Sequence, residues 1–245
     1  MEISIEINNR VTQGEKMWAI LIDPDNTKLN DLPQLSDLIN KSSCDYVLVG
    51  GSLINNTEFN EFIFSLKKNL SKKIIIFPGD NTQISSYADG ILLLSLISGR
   101  NPDLLIGQHV QSSFKLKESE LCILPTGYIL IDGGNLTSVQ YMSNTLPIPK
   151  DKYDIGSATA LAGVQLGLKY IYLDAGSGAN STIHPLMIKT IKKQISVPLF
   201  IGGGIKTQDQ LEKAWSAGAD IVVIGNAIEQ NNSLIQLLNN HLTWN

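Results

Sequence analysis

Cysteine and histidine are scarce in this chain, with 2 and 3 among its 245 residues. Cys44 and Cys122 each lie in or beside an apolar run, where cysteine usually behaves as a small buried hydrophobe. Neither a disulfide framework nor a reactive thiol is expected. Basic runs are missing too, and the formal charge is −4, so the positive field that gathers nucleic acid through its phosphates is absent and no nucleic-acid partner is expected. No apolar run approaches the roughly 20 residues that cross a bilayer. Residues Met1 to Arg10 alternate polar and apolar side chains and carry acids, without the basic end and apolar block of a secretory signal. A cytoplasmic protein is expected, one that could still meet a membrane surface transiently to take a lipid substrate. Linkers, low-complexity tracts and shifts in composition are lacking, which leaves one domain over residues 1–245.

Short runs rich in Ile, Leu and Val, each closed by Gly, Pro, Asn or Asp, recur along the whole length. They predict strands at Met17–Ile22, Tyr46–Val49, Lys73–Phe77, Ile91–Leu94, Tyr128–Ile131, Tyr170–Leu173, Pro198–Ile201 and Ile221–Ile224. Near-continuous apolar content marks parallel strands covered on both faces, and eight of them alternating with helices indicate a (β/α)8 barrel; an open doubly wound sheet is the alternative. Helical patterns cover Leu29–Asn40, Asn56–Asn69, Pro185–Gln194 and Thr207–Ala217, the last with Thr207 as N-cap and Gly218 just past its end. Only about a dozen residues separate the third and fourth strands, near the minimum for a crossover, so that helix should be short or missing. The stretch from Asp132 to Tyr153, with Pro147 and Pro149, predicts a loop over the active face and a helix beginning near Ser157.

Barrel active sites lie at the C-terminal ends of the strands. The sixth, seventh and eighth strands end in Asp174-Ala175-Gly176-Ser177-Gly178, Gly202-Gly203-Gly204 and Gly225-Asn226. Such glycines let backbone N–H groups approach an anion closely, and they point to a phosphate cup. The first two strands end in Asp23-Pro24-Asp25 and Gly50-Gly51-Ser52, hard oxygen donors suited to Mg2+ with a diphosphate completing its shell. Asp23 directly ends its strand; Asp25 is equally suited to capping the next turn. Asp174 sits between the two phosphate sites, placed either to take a proton from a substrate hydroxyl or only to hydrogen-bond it. His184, before Pro185, reads as a helix cap; His109 has no evident partner; Trp18, Tyr170 and Tyr172 read as packing residues, with Tyr172 beside the site.

Taken in order, Ile22-Asp23-Pro24-Asp25, Gly50-Gly51-Ser52, Tyr172 to Gly178, Gly202-Gly203-Gly204-Ile205 and Gly225-Asn226 resemble the signatures of the geranylgeranylglyceryl phosphate synthase family, which includes bacterial PcrB-type proteins. Tyr128 to Gly134 and Pro147-Ile148-Pro149 are similar as well, so the resemblance runs from about residue 15 to 230. It implies a barrel with a reduced third helix and Mg2+-dependent transfer of a geranylgeranyl group from its diphosphate to the 3-hydroxyl of sn-glycerol 1-phosphate. Asp23 and Ser52 would hold Mg2+; Tyr172, Leu173, Asp174, Ala175, Gly176, Ser177, Gly178, Gly203, Gly204, Gly225 and Asn226 would bind glycerol phosphate. It also implies a homo-oligomer. Two departures stand out: Asp174 replaces a Glu found in many relatives, and Leu21 replaces a Lys found in some. A long-chain prenyl diphosphate needs an apolar trough, for which Ile84, Tyr87, Leu94, Leu96 and Ile97 are candidates. A sugar-phosphate isomerase or lyase, and a non-catalytic phosphometabolite-binding barrel, are the competing readings.

Overall fold

In the computed structural model, which describes residues 2–54 and 58–225, eight parallel strands close into a barrel in chain order, with the last pairing back to the first. They are β1 Met17–Ile22, β2 Tyr46–Val49, β3 Lys73–Ile76, β4 Gly90–Leu96, β5 Cys122–Leu130, β6 Tyr170–Asp174, β7 Leu199–Gly202 and β8 Ile221–Ile224. The closed barrel is the expected fold, not the open sheet. β5 begins at Cys122 instead of Tyr128. Pro125, Thr126 and Gly127 interrupt its hydrophobic run, yet the pairing with β4 continues from Gly90 opposite Cys122 to Leu96 opposite Tyr128.

The helices are α1 Glu2–Thr12, α2 Leu32–Asn40 after a 3-10 turn at Leu29–Asp31, α3 Phe59–Asn69, α4 Gln108–Glu118, α5 Ser138–Ser143, α6 Tyr153–Gln165, α7 Pro185–Lys192 and α8 Gln208–Ala217. Local chemistry fixes several of their ends. Thr207 and Gln210 form a reciprocal capping box at the start of α8, and Gly218 ends it in the left-handed region. His184 caps α7, its Nδ1 accepting from the Leu186 N–H. No helix fills the connection between β3 and β4, as its length predicts. α6 starts at Tyr153, ahead of the expected Ser157. α4 is an element the sequence pattern did not reveal, because only Ser112 and Leu116 of its eleven residues are buried.

Strand alternation divides the core into two shells. Outward residues such as Ile20, Val47, Leu173, Ile201 and Val222 pack under the helices, while inward residues such as Ala19, Leu48, Tyr172, Phe200 and Val223 fill the barrel. The N-terminal end of the barrel is plugged by α1. Its Ile3 and Ile7, one turn apart, join the interior cluster and leave Ile5 half exposed, so an apparent alternation is in fact a helical stripe. Polar contacts lock the plug: the Ser4 and Tyr170 hydroxyls lie 2.8 Å apart, Tyr46 donates to Glu6, and Arg10 bonds Asp45, which also accepts from the Trp18 N–H. Both cysteines are buried and free, and burial pushes the Cys44 thiol up to about 11, consistent with an inert packing role. No helix among the described residues is long and apolar enough to cross a membrane.

Truncating Ile7 to Ala should therefore lower the unfolding free energy in urea by about 2–5 kcal/mol; a loss under about 0.5 kcal/mol would show that α1 is peripheral to the barrel.

Candidate active site

At the C-terminal ends of the strands lies a cavity of about 430 Å³. One wall is glycine-rich, formed by Ser177, Gly178, Gly203, Gly204 and Gly225. Asp174 stands at its edge, over a floor that includes Tyr128 and Tyr172. Asp23, Gly51 and Ser52 form part of the same lining, and an apolar arm continues along β4 and under α4.

The glycine wall exists because the β6 and β7 loops nest. Gly203 has φ +84°, and a Cβ there would fall 2.7 Å from the Ala175 and Gly176 nitrogens and the Asp174 carboxylate. Only glycine permits that approach. The structure brings Tyr172, Asp174, Ser177, Gly178, Gly203, Gly204 and Gly225 to the cavity as anticipated. It does not place the Leu173 and Ala175 side chains there: strand alternation turns both into the outer shell. Gly176 is buried behind the lining, its N–H donated to Asp174 Oδ1 at 2.8 Å. Asn226 lies outside the described residues.

Asp174 is buried, and burial pushes its carboxyl above the ordinary carboxylate range. Two hydrogen bonds oppose that rise, from the Gly176 N–H to Oδ1 and from the Tyr128 hydroxyl to Oδ2. Tyr128 is the site residue that sequence reasoning missed. It occupies an inward position opposite Tyr172, and Tyr172 pairs in register two residues before Asp174, so period-two counting along β5 was the available signal. Both tyrosine hydroxyls are held well above their usual pKa by burial beside the carboxylate, and stay protonated. Tyr172 stacks on Phe77 and Phe200 at centroid distances of 5.0 and 5.8 Å, and this aromatic layer is the base on which the site rests.

On the other flank, Asp23 Oδ1 accepts from the Asp25 N–H at 2.9 Å, and burial raises its carboxyl. A Cβ on Gly51 would sit 3.1 Å from Asp23 Oδ2, which puts the Ser52 loop directly against the carboxylate. Asp25 is exposed and faces a shallow outer hollow instead of the cavity. No group of three or more His, Cys, Asp or Glu side chains that could enclose a metal occurs among the described residues. One carboxylate and one hydroxyl in an open cavity fit Mg2+, whose shell substrate phosphates and water typically complete. Leu21 lines the cavity at the position of the absent lysine, and Lys206 is the single cationic side chain in the lining among the described residues.

The apolar arm passes Ile84, Leu93, Leu94, Leu96, Leu104 and Leu116. Two anticipated residues are not part of it. Tyr87 is half exposed and packs its ring 4.8 Å from Phe64, and Ile97 turns outward against the positions of Gly127 and Gly163. His109, without evident role in the sequence, lines the arm beside Ser95, with burial lowering its pKa so that it is neutral near pH 7.

A sequence profile described as the PcrB family matches residues 9–241. The chain belongs to the PcrB family. It is 46% identical over 228 residues to a geranylgeranylglyceryl phosphate synthase of Chitinophaga pinensis, covering 93% of this chain and 90% of that one. A geranylgeranylglyceryl phosphate synthase of Pyrococcus abyssi is 36% identical over 234 residues, covering 95% and 92%. Among solved structures, the (S)-3-O-geranylgeranylglyceryl phosphate synthase of Thermoplasma acidophilum in complex with its substrate sn-glycerol-1-phosphate superimposes with a TM-score of 0.90 at 26% identity, covering 97% of this chain and 95% of that one.

Because Tyr128 stabilises the ionised form of Asp174, Tyr128→Phe should raise the Asp174 pKa further, which carboxyl NMR titration against Asp174→Asn would read. The same shift fixes a stability trend. A folded pKa above the unfolded value means that stability falls as pH rises from the ordinary carboxylate range through the raised value, and the Asn variant should lack this fall. An Asp174 that titrates at or below an ordinary carboxylate would contradict the assignment.

Proposed function

We propose that this enzyme transfers a geranylgeranyl group from geranylgeranyl diphosphate to the 3-hydroxyl of sn-glycerol 1-phosphate, with Mg2+, to form an ether-lipid precursor. The carrying observation is that one cavity joins a glycine-rich anion wall, a buried carboxylate and a long apolar arm. Membership of the family and the relatives' activity support the same reading. A sugar-phosphate isomerase or a non-catalytic phosphate-binding barrel would have no use for the apolar arm.

In the proposed reaction Ser177, Gly178, Gly203, Gly204 and Gly225, which line the glycine-rich wall, receive the glycerol phosphate, and backbone N–H groups there would bind the anion. Asn226 belongs to the same assignment. Asp174 is then at the cup's edge, where it orients the 3-hydroxyl and accepts its proton as the new C–O bond forms at the allylic carbon. Its raised pKa makes it a better proton acceptor than a solvated carboxylate. Asp23 and Ser52 would hold Mg2+, which supplies charge neutralisation for the departing diphosphate. Ile84, Leu94 and Leu96 take the chain and keep water from the reacting carbon. Holding both substrates in one cavity removes much of the entropic barrier to a two-substrate reaction. A cytoplasmic homo-oligomer that meets membrane surfaces transiently completes this reading.

Incubation with sn-glycerol 1-phosphate, geranylgeranyl diphosphate and Mg2+ should give the prenyl ether by mass spectrometry, and EDTA should abolish it. Asp174→Asn should lower turnover by about 10²–10⁴ with little change in glycerol phosphate affinity. Absence of product with every prenyl diphosphate tested would overturn the reading, and wild-type turnover in the Asn variant would remove Asp174 as base.

A further inference from the structure

The loop after β6 follows Asp174 and carries Ser177 and Gly178 to the cavity, with Gly176 and Gly178 both in the left-handed region. Besides its own bonds from Gly176 N–H to Asp174 and from Ala179 N–H to the Gly176 carbonyl, it is held by the loop after β5. The Gly133 carbonyl accepts from the Asn180 and Ser181 N–H groups at 3.0 and 3.1 Å. Half-buried Asn135 completes the bridge, its Oδ1 accepting from the Asn180 N–H at 3.0 Å and its Nδ2 donating to the Gly178 carbonyl at 3.3 Å. Asn180 Nδ2 reaches back to the Gly134 carbonyl at 3.3 Å. On the far side, a Cβ at Gly204 would stand 3.0 Å from the Ser181 carbonyl, so residues 179–181 are held between the β5 and β7 loops.

We infer that Asn135 is a positioning residue for glycerol phosphate: by holding the Gly178 carbonyl away from the cavity, it turns the loop's N–H groups toward the phosphate. The inference rests on the function proposed above. Asn135 is absent from the cavity lining, and its hydrogen bonds run to Gly178 and Asn180. Its effect should therefore fall on the glycerol phosphate side of the cavity. A carbonyl freed from Nδ2 can rotate its negative end toward the anion, which weakens phosphate binding without altering the chemical step.

The test is calorimetric binding of sn-glycerol 1-phosphate together with steady-state kinetics on the full chain. Asn135→Ala should raise the Kd and KM for glycerol phosphate about five- to tenfold, as expected for losing one or two neutral hydrogen bonds, with kcat, the KM for prenyl diphosphate and the melting temperature nearly unchanged. Asn135→Asp keeps the acceptor for the Asn180 N–H but loses the donor and adds a negative charge near the phosphate. Its Kd should rise further than that of the Ala variant, and the excess should shrink with added salt. Should the Ala variant fail to fold, the Asp variant carries the same readout. Unchanged glycerol phosphate affinity, or equal losses for both substrates, would overturn the inference. Absence of glycerol phosphate binding by the unaltered protein would instead strike at the proposed function itself.

Discussion

A buried carboxylate with no cationic partner among the described residues is the constraint around which this barrel mouth is arranged. Asp174 is 7% exposed, and it accepts hydrogen bonds from the Tyr128 hydroxyl and the Gly176 N–H. Such a group is tolerated only if its lone pairs are met and its neighbours are fixed. The Gly176 bond turns the β6 loop back on itself, the Tyr128 bond ties β5 to β6, and the aromatic layer of Tyr172, Phe77 and Phe200 keeps both strands in register beneath. The glycine wall follows from the same packing, since Gly203 must nest against the Asp174 loop. The buried carboxylate thus stands in the same cavity as the glycine-rich wall and the apolar arm. The observed arrangement is what proton transfer from a bound hydroxyl would need.

The second determinant is a missing element. Where most βα units place a helix between consecutive strands, the segment after β3 runs through Pro78, Gly79 and Asp80, and Gly79 packs against the backbone of the Gly51–Ser52 loop. Gln83 reinforces that contact, accepting from the Gly79 N–H and donating to the Gly51 carbonyl. Without a helix there, Ile84, Ile91 and Leu93 border the apolar arm. The barrel interior is occupied by a buried cluster of aromatic and aliphatic side chains, which competes with an elongated apolar ligand for space along the barrel axis. The arm under α4 is the available direction.

Strand positions were legible because fully buried parallel strands announce themselves as apolar runs, and the site followed because barrel strands deliver their last residues to one face. Asp23, Ser52, Asp174 and the glycines after β6, β7 and β8 could therefore be placed from the sequence. Other features were not legible, for reasons that are physical. Tyr128 lies inside a strand run where an aromatic residue reads as packing, and its partnership with Asp174 depends on a register that no local pattern states. α4 escaped because its outward residues, including Val110 and Phe114, are apolar and exposed, which blurs its helical periodicity. The Asn135 bridge joins loops 45 residues apart in the chain, a contact visible only once the barrel is closed. Tyr87 and Ile97 failed as trough residues because apolar character alone does not say which side of a strand or turn a side chain takes.

The account stands or falls on where glycerol phosphate lies relative to Asp174. A crystal structure of this protein with sn-glycerol 1-phosphate should show the phosphate against Ser177, Gly178, Gly203, Gly204 and Gly225, with the 3-hydroxyl about 2.6–3.2 Å from an Asp174 oxygen. Phosphate seated instead between Asp23 and Ser52, or a 3-hydroxyl turned away from Asp174, would contradict it.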